Sequence, residues 1–135
     1  MKEELKSPEV KNVSVAVAFE EGVGATIYNV YLINERTEML ENVLVSSSGY
    51  GIKVSTNEKI KTSTLRHSLG NIEPRSARLI EPIMEGVFGL NNQFWVSFWM
   101  GNKMFDKKYI FLPESIKEEN LVDLPVLCLK GVLII

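Results

Sequence analysis

A period-two alternation of apolar and polar side chains runs through most of this sequence, and it is typical of β-strands that bury one face. Residues 13–19 (VSVAVAF) place valine and phenylalanine on one side of such a strand and small side chains on the other. Residues 26–34 (TIYNVYLIN) are rich in β-branched and aromatic side chains, which favour strands. With almost no helical periodicity beside it, the pattern predicts an all-β chain.

Turn residues divide the alternation into about seven short strands. Pro82 has no N–H to donate to a ladder, so its strand lies at an edge or ends there. The weak alternation of residues 59–69 also indicates an edge strand, and the turn Gly101-Asn102-Lys103 joins the last two strands in a hairpin. Short strands at this spacing predict an antiparallel β-sandwich. The predicted strands are residues 13–19, 26–34, 42–47, 59–69, 77–84, 93–100 and 104–112.

A chain of 135 residues has the size of one ordinary domain. With 45% hydrophobic and 24% charged residues it has a globular balance, which excludes a disordered chain and a fibre. We predict one β-sandwich domain over residues 1–135, with its core at about 12–112 and a C-terminal docking tail at 113–135. Ser115 and Glu118 have the spacing of a capping box, so at most one short C-terminal helix is expected.

The chain has one cysteine, Cys128, and one histidine, His67. A lone cysteine cannot form an internal disulfide, which fits a reducing compartment, and its apolar neighbours predict a packed, inert side chain. The acidic start of the chain is unlike a signal peptide, and the apolar run 126–135 is too short to span a bilayer. Because transition-metal sites need several His or Cys ligands, we expect no metal and no cofactor in a cytoplasmic protein without membrane contact.

Charge is divided unevenly along the chain, although the net charge is only −2. Residues 1–42 carry four basic against eight acidic side chains, whereas residues 53–78 carry six basic against two acidic ones. The basic segment could hold an anion through an arginine and hydroxyl groups that share one strand face. It could equally be a solvated edge strand with cross-strand threonine pairs. The candidate anion-binding residues are Thr62, Thr64, Arg66 and His67.

Both faces of the strand at residues 93–100 are apolar, although a sandwich strand needs only one apolar face. Two phenylalanines, a valine and a methionine share one side, and Trp95 and Trp99 share the other. Strand 26–34 is apolar on both faces in the same way. Exposed aromatic area of this size usually marks an interface. The predicted interface residues are Trp95, Trp99 and Tyr109.

Three kinds of cover are open for this second apolar face. A second copy of the chain would make the protein a homodimer, which is the cover we expect. The C-terminal segment from Leu121 to Ile135 could instead fold back over the face. A different protein or an apolar ligand is the third cover. The tail and a dimer contact can also coexist.

These features predict a non-catalytic module that binds or assembles by protein–protein contact through its aromatic sheet face. An alternative is an RNA- or tRNA-associated accessory protein that uses the basic segment 53–78. No Lys or Arg lies between Trp95 and Trp99, which speaks against stacking of single-stranded RNA, although Lys107 and Lys108 follow on the next strand. Nucleic acid is therefore not the partner we expect.

Catalysis is not expected from these residues. A nucleophile with its base would require Cys128 or a serine beside His67, and no G-x-S-x-G elbow is present. The alternative from this class is a small-molecule enzyme centred on Arg66 and His67.

Three segments resemble immunoglobulin-like adhesion-type domains. They are residues 30–34 (VYLIN), 40–45 (LENVLV) and 69–76 (LGNIEPRS). The resemblance covers about residues 12–112 and implies an immunoglobulin-like β-sandwich, and its motifs specify a fold rather than an activity. A Cys…Trp…Cys framework is missing, so the resemblance does not extend to antibody domains.

The chain also resembles a group of small uncharacterised bacterial proteins. The shared motifs are residues 102–105 (NKMF), 123–126 (DLPV) and 130–133 (KGVL). Members of that group sometimes carry the label of a phenylalanyl-tRNA synthetase alpha subunit. A synthetase catalytic core needs a large mixed sheet with nucleotide-binding arginines, so the resemblance implies a family without an assigned function.

Overall fold

Two antiparallel β-sheets stack face to face in the computed structural model, which describes residues 8–135. The first sheet, sheet A, has the strand order β6-β2-β1-β10-β9, and the second, sheet B, has the order β4-β3-β7-β8, with β5 also paired to β3. The strands are β1 (Val13–Glu21), β2 (Thr26–Asn34), β3 (Leu40–Lys53), β4 (Glu58–Lys61), β5 (Leu65–Ile72), β6 (Ser76–Pro82), β7 (Asn91–Met100), β8 (Lys103–Phe111), β9 (Val122–Asp123) and β10 (Lys130–Ile134).

The all-β sandwich predicted from the alternation is confirmed. The neighbours β1-β2-β6 and β3-β7-β8 reproduce the A-B-E and C-F-G pairings of an immunoglobulin sandwich. The hairpin of β7 and β8 is also confirmed, and its turn has only two residues because Met100 pairs with Lys103. Gly101 adopts a positive φ of 62° there, as the first residue of a tight hairpin turn requires.

The described part of the chain forms ten strands rather than about seven. The strand predicted at residues 59–69 is in fact two short strands, β4 and β5, which pair with different parts of the 14-residue strand β3. They are separated at residues 62–64, where the Thr62 hydroxyl accepts a hydrogen bond from the Gly49 N–H. The two remaining additions, β9 and β10, come from the C-terminal segment.

The inner faces of the two sheets form one core in which β7 and β8 contribute the largest side chains. Phe94 meets Phe111 edge to face at 5.9 Å between ring centroids, and Phe98 stacks on Phe105 at 5.5 Å. Aromatic pairs of these geometries are favourable beyond the area that they bury. The core therefore uses most of one face of the β7–β8 hairpin.

The short helix expected after Ser115 is a single 3-10 turn at Glu118–Asn120. The Ser115 hydroxyl donates to the carbonyl oxygen of Leu112 at 2.7 Å instead of capping a helix. Ile116 is buried in the core immediately afterwards, which fixes the chain in an irregular path. The capping-box spacing therefore predicted the turn but overestimated its length.

Strand β10 belongs to the sandwich and is not a tail docked on a core that ends at residue 112. It pairs with β1 from Val15–Ile134 to Phe19–Lys130 and contributes Val132 to the core. The sequence pattern of residues 130–135 is short and interrupted by Gly131, which hid its strand character.

Residues 121–129, which we name the C-terminal strap, include the edge strand β9 and lie against the outer face of sheet A from Leu124 onwards. Leu124 is only 5% exposed and packs with Ala16, Ala18 and Ile33. A Cβ at Gly131 would come within 2.9 Å of the Leu124 side chain, so the glycine makes room for this contact. The small side chains that alternate along β1 therefore form a trough for the strap.

The strap thus covers Ile33 and part of Tyr31 on the second apolar face of strand 26–34, where Ile27 stays 47% exposed, and it leaves the second face of strand 93–100 uncovered. The alternative in which the C-terminal segment covers the tryptophan side does not hold, because β9 and β10 place the segment in the other sheet. Cys128 lies on the strap and is exposed, so the prediction that it is packed is also wrong. Its neighbours Leu127 and Leu129 make the contacts with the sheet.

We predict that Leu124→Ala lowers the free energy of unfolding by about 2–5 kcal/mol, because it removes buried methyl groups and leaves a cavity above the trough. The matched control is Leu112→Ala, since Leu112 is largely exposed. That control should change stability by less than about 0.5 kcal/mol. Urea unfolding followed by circular dichroism measures both, and equal effects would mean that the strap is not a packed element.

Candidate interaction surface

The outer face of sheet B carries a regular array of side chains, which we name the Trp face. Residues that pair directly across antiparallel strands lie on the same face, so the register defines rows that cross the sheet. In order along the strands, the rows are Ser48, Gln93 and Ile110; Arg66, Ser46, Trp95 and Lys108 (the Trp95 row); Ser68, Leu44, Ser97 and Asp106 (the Ser97 row); and Glu41, Trp99 and Met104 (the Trp99 row).

Four large apolar side chains of the Trp face are open to solvent. The exposed fractions are 52% for Leu44, 45% for Trp95, 41% for Trp99 and 46% for Met104. They lie on three adjacent rows and on three adjacent strands, so they form a patch rather than isolated exposures. A contiguous apolar patch rimmed by polar groups is typical of an interaction site.

A shallow groove of about 330 Å³ runs through this patch. Ser46 and Ser97 lie in its floor, and Leu44, Trp95 and Met104 form its walls. The groove exists because small hydroxyl side chains alternate with large apolar ones, both along β7 and across to β3. The large side chains therefore project from the surface, and the serines between them leave depressions of side-chain size.

Charge is polarised along the Trp face. In the Trp95 row, the Lys108 ammonium lies 4.7 Å from the Trp95 ring centroid, in a cation–π contact, and Arg66 lies at the opposite edge of the sheet. The acidic side chains Asp106 and Glu41 belong to the next two rows. The face is therefore basic on one side of the boundary between the Trp95 and Ser97 rows and acidic on the other.

Tyr109 does not belong to this surface, which corrects its prediction as an interface residue. Its side chain is completely buried, and its hydroxyl donates to the Val13 carbonyl oxygen at 2.6 Å. Burial raises the pKa of the Tyr109 hydroxyl above its usual range. Tyr109 pairs with Phe94, which faces the core. A two-residue turn at Gly101 and Asn102 fixes this pairing, so the turn length is the sequence signal that places Tyr109 inside.

The four candidate anion-binding residues do not form one cluster, although Arg66 and His67 both contribute to the lining of the groove on the Trp face. Thr62 uses its hydroxyl locally, with Gly49 as donor and the Ser63 carbonyl as acceptor, and Thr64 lies outside the strands. Arg66 and His67 are consecutive residues of β5, so their side chains point to opposite faces of sheet B. The weak alternation predicted one continuous strand, and the break at residues 62–64 separates the hydroxyls from the arginine.

His67 lies next to a carboxylate instead of an anion site. Its Nε2 is 2.6 Å from Oε1 of Glu81, and the Ser47 hydroxyl donates to the same oxygen at 2.7 Å. In a nucleophile–base relay the imidazole stands between the serine and the acid, whereas here the acid stands between the other two. Because Glu81 is on β6, these contacts join sheet A to sheet B.

A second concavity of about 290 Å³ opens between the two sheets beside this cluster. The side chains of Ser47, Glu81 and Phe94 contribute to its lining. Neither Arg66 nor His67 lines it, whereas both residues contribute to the lining of the groove on the Trp face. The contacts of Glu81 with Ser47 and His67 form a bridge between the two sheets.

The comparisons with known proteins identify no relative: no protein family, curated protein or solved structure matches this chain. The resemblances to adhesion-type domains and to small bacterial proteins therefore stay predictions. Within residues 8–135, no helix is long and apolar enough to cross a membrane. No group of three or more His, Cys, Asp or Glu side chains lies close enough to hold a metal ion in that part of the chain.

We predict that Tyr109→Phe leaves the association state unchanged and lowers stability by about 0.5–1.5 kcal/mol, the usual net contribution of one hydrogen bond. Above about pH 10 the unfolded chain loses its tyrosine protons while buried Tyr109 keeps its own, so wild-type stability falls as pH rises. The variant should show a smaller fall, measured by urea unfolding between pH 8 and pH 11. An altered association state would show that Tyr109 does belong to the interface.

Proposed function

We propose that this protein is a non-catalytic assembly module that associates with a second copy of itself through the Trp face. The observation that carries the proposal is the exposed patch of Leu44, Trp95, Trp99 and Met104 on one sheet, while the strap covers part of the outer side of the other sheet. A cytoplasmic location is part of the proposal, since the single cysteine is unpaired and exposed.

The shape of the Trp face favours a protein partner over a small ligand. Its groove is open along the sheet and its tryptophans are only about half covered. Small-molecule sites instead enclose most of the ligand surface in a cleft. Tryptophan is enriched among the residues that dominate the binding energy of protein interfaces, because it buries a large area when a partner covers it.

The charges of the Trp face favour a second copy as that partner. A face that is basic on one side and acidic on the other can pair with an inverted copy of itself, so that unlike charges meet. Most soluble oligomers are symmetric homo-oligomers, and a twofold interface uses the same patch on both subunits.

Trp95→Glu should convert a dimer into a monomer, because it places a charge in the centre of the buried patch. We expect a wild-type molar mass of twice 15.3 kDa by light scattering at micromolar concentration. The variant should weaken association by roughly thirtyfold or more, as expected for the loss of a central tryptophan anchor.

Leu79→Glu is the matched control for this experiment. Leu79 is 46% exposed, nearly the same fraction as Trp95, but it lies on β6 of sheet A. It should leave the mass unchanged. A monomeric wild type, or a dimer that Trp95→Glu does not affect, would contradict the proposed function.

Single-stranded RNA is a second candidate partner, and one observation favours it. The β3–β4 pairing places Lys61 beside Tyr50 and Lys59 beside Ile52, on the outer face that continues into the Trp95 row. Cations and aromatic side chains that are distant in sequence are therefore interleaved across the sheet, as stacking platforms require. The acidic half of the Trp face makes this partner less favourable than a second copy.

The RNA candidate predicts retention of a fluorescent oligouridine at low salt. Four cations lie on the face: Lys59, Lys61, Arg66 and Lys108. A plot of the logarithm of the binding constant against the logarithm of the salt concentration should therefore have a slope of about −3. Lys59→Ala with Lys61→Ala should reduce the slope by about one half. Absence of retention at low salt would remove the candidate.

A further inference from the structure

We infer that the two copies are related by a twofold axis that runs across the strands, in the plane of the interface, between the Trp95 row and the Ser97 row. The inference rests on the proposed self-association and specifies its geometry. Such an axis places every strand opposite its own copy and reverses the order of the rows. Each residue of the Trp95 row then faces a residue of the Ser97 row on the same strand of the partner.

Side-chain sizes are complementary under this axis. On β7, Trp95 faces the copy of Ser97, and on β3, Leu44 faces the copy of Ser46. The groove floored by the two serines thus receives the large side chains of the other copy. Because the operation is symmetric, each contact occurs twice, and knobs and holes interdigitate as in the core of a sheet sandwich.

Charges are complementary under the same axis. On β8, Lys108 faces the copy of Asp106, so two unlike pairs form in the dimer. Further out, Ile110 faces the copy of Met104, which pairs one apolar side chain with another. The Lys108 ammonium already lies over the Trp95 ring, so it is held at the place where the partner's carboxylate arrives.

Three other symmetric arrangements bring like charges together. An axis through the Trp95 row would place Lys108 against its own copy, and an axis through the Ser97 row would do the same for Asp106. An axis parallel to the strands, midway between β3 and β7, would place Lys108 against Arg66. Like-charge contacts across an interface are unfavourable, so charge disfavours these three axes, whereas size and charge both favour the axis between the Trp95 and Ser97 rows.

Two charge-reversal variants test this geometry. Lys108→Asp makes positions 106 and 108 acidic in both copies, and Asp106→Lys makes both positions basic. Each variant alone should self-associate roughly tenfold or more weakly than wild type, because both cross-subunit pairs become repulsive. Mixed together, the two variants restore two unlike pairs, so native mass spectrometry should show a heterodimer with an affinity within about threefold of wild type.

The control reverses an exposed pair that the axis does not involve. Lys130 and Asp123 lie 3.7 Å apart on the strap side of the molecule. Lys130→Asp and Asp123→Lys change the net charge by the same amounts as the test variants. Alone or mixed, they should self-associate like wild type and show no preference for the heterodimer.

The outcomes separate this inference from the proposed function. One outcome is a wild-type dimer that Trp95→Glu disrupts, with no heterodimer preference for the variants at positions 106 and 108. The copies would then associate through the Trp face, but not about the inferred axis. If wild type is a monomer at all accessible concentrations, the proposed function fails and the axis fails with it. A preference as strong in the control mixture would assign the effect to net charge and overturn the axis.

Discussion

The contact between Leu124 and the small residues of sheet A decides which side of this sandwich is left open. Ala16, Ala18 and Gly131 leave a trough on the outer face of sheet A, and the strap fills it with leucine. The trough requires Gly131 because a side chain there would collide with Leu124 and with the neighbouring backbone. Side-chain volume on this sheet face thus sets the path of the strap.

The consequence is a sandwich with two different outer faces. Sheet A covers part of its second apolar face with a segment of its own chain, and sheet B presents tryptophans to solvent. Trp95 and Trp99 are the only tryptophans in the sequence, and both lie on the uncovered side. The contacts of Glu81 with His67 and Ser47 join the two sheets and do not involve the tryptophans.

The sequence pattern predicted what depends on local alternation. It placed most strands, the β7–β8 hairpin and the two tryptophans on the outer side of their strand correctly. It failed where the outcome depends on pairing between distant segments. The covering of sheet A by the strap follows from the trough, which only the pairing of β1 with β10 creates.

The candidate site shows the same division. Trp95 has no basic neighbour along β7, yet Lys108 lies directly across from it on β8, so interleaving had to be sought across the strands. The prediction places Tyr109 on the surface, whereas the two-residue turn of the hairpin pairs Tyr109 with Phe94, which faces the core. The alternation predicts that Thr62 and Arg66 lie on the same face of one strand, but the break between β4 and β5 separates them.

The central claim is that the Trp face is buried by a second copy, and hydroxyl-radical footprinting over a range of protein concentrations tests it most directly. Met104 lies on the Trp face, and Met84 is a solvent-exposed methionine outside it, so the same chain supplies the probe and its reference. As concentration rises through the range where the mass doubles, oxidation of Trp95, Trp99 and Met104 should fall severalfold while Met84 stays reactive. Unchanged oxidation of the two tryptophans in a dimer of doubled mass would show that the copies associate elsewhere, and would contradict the account.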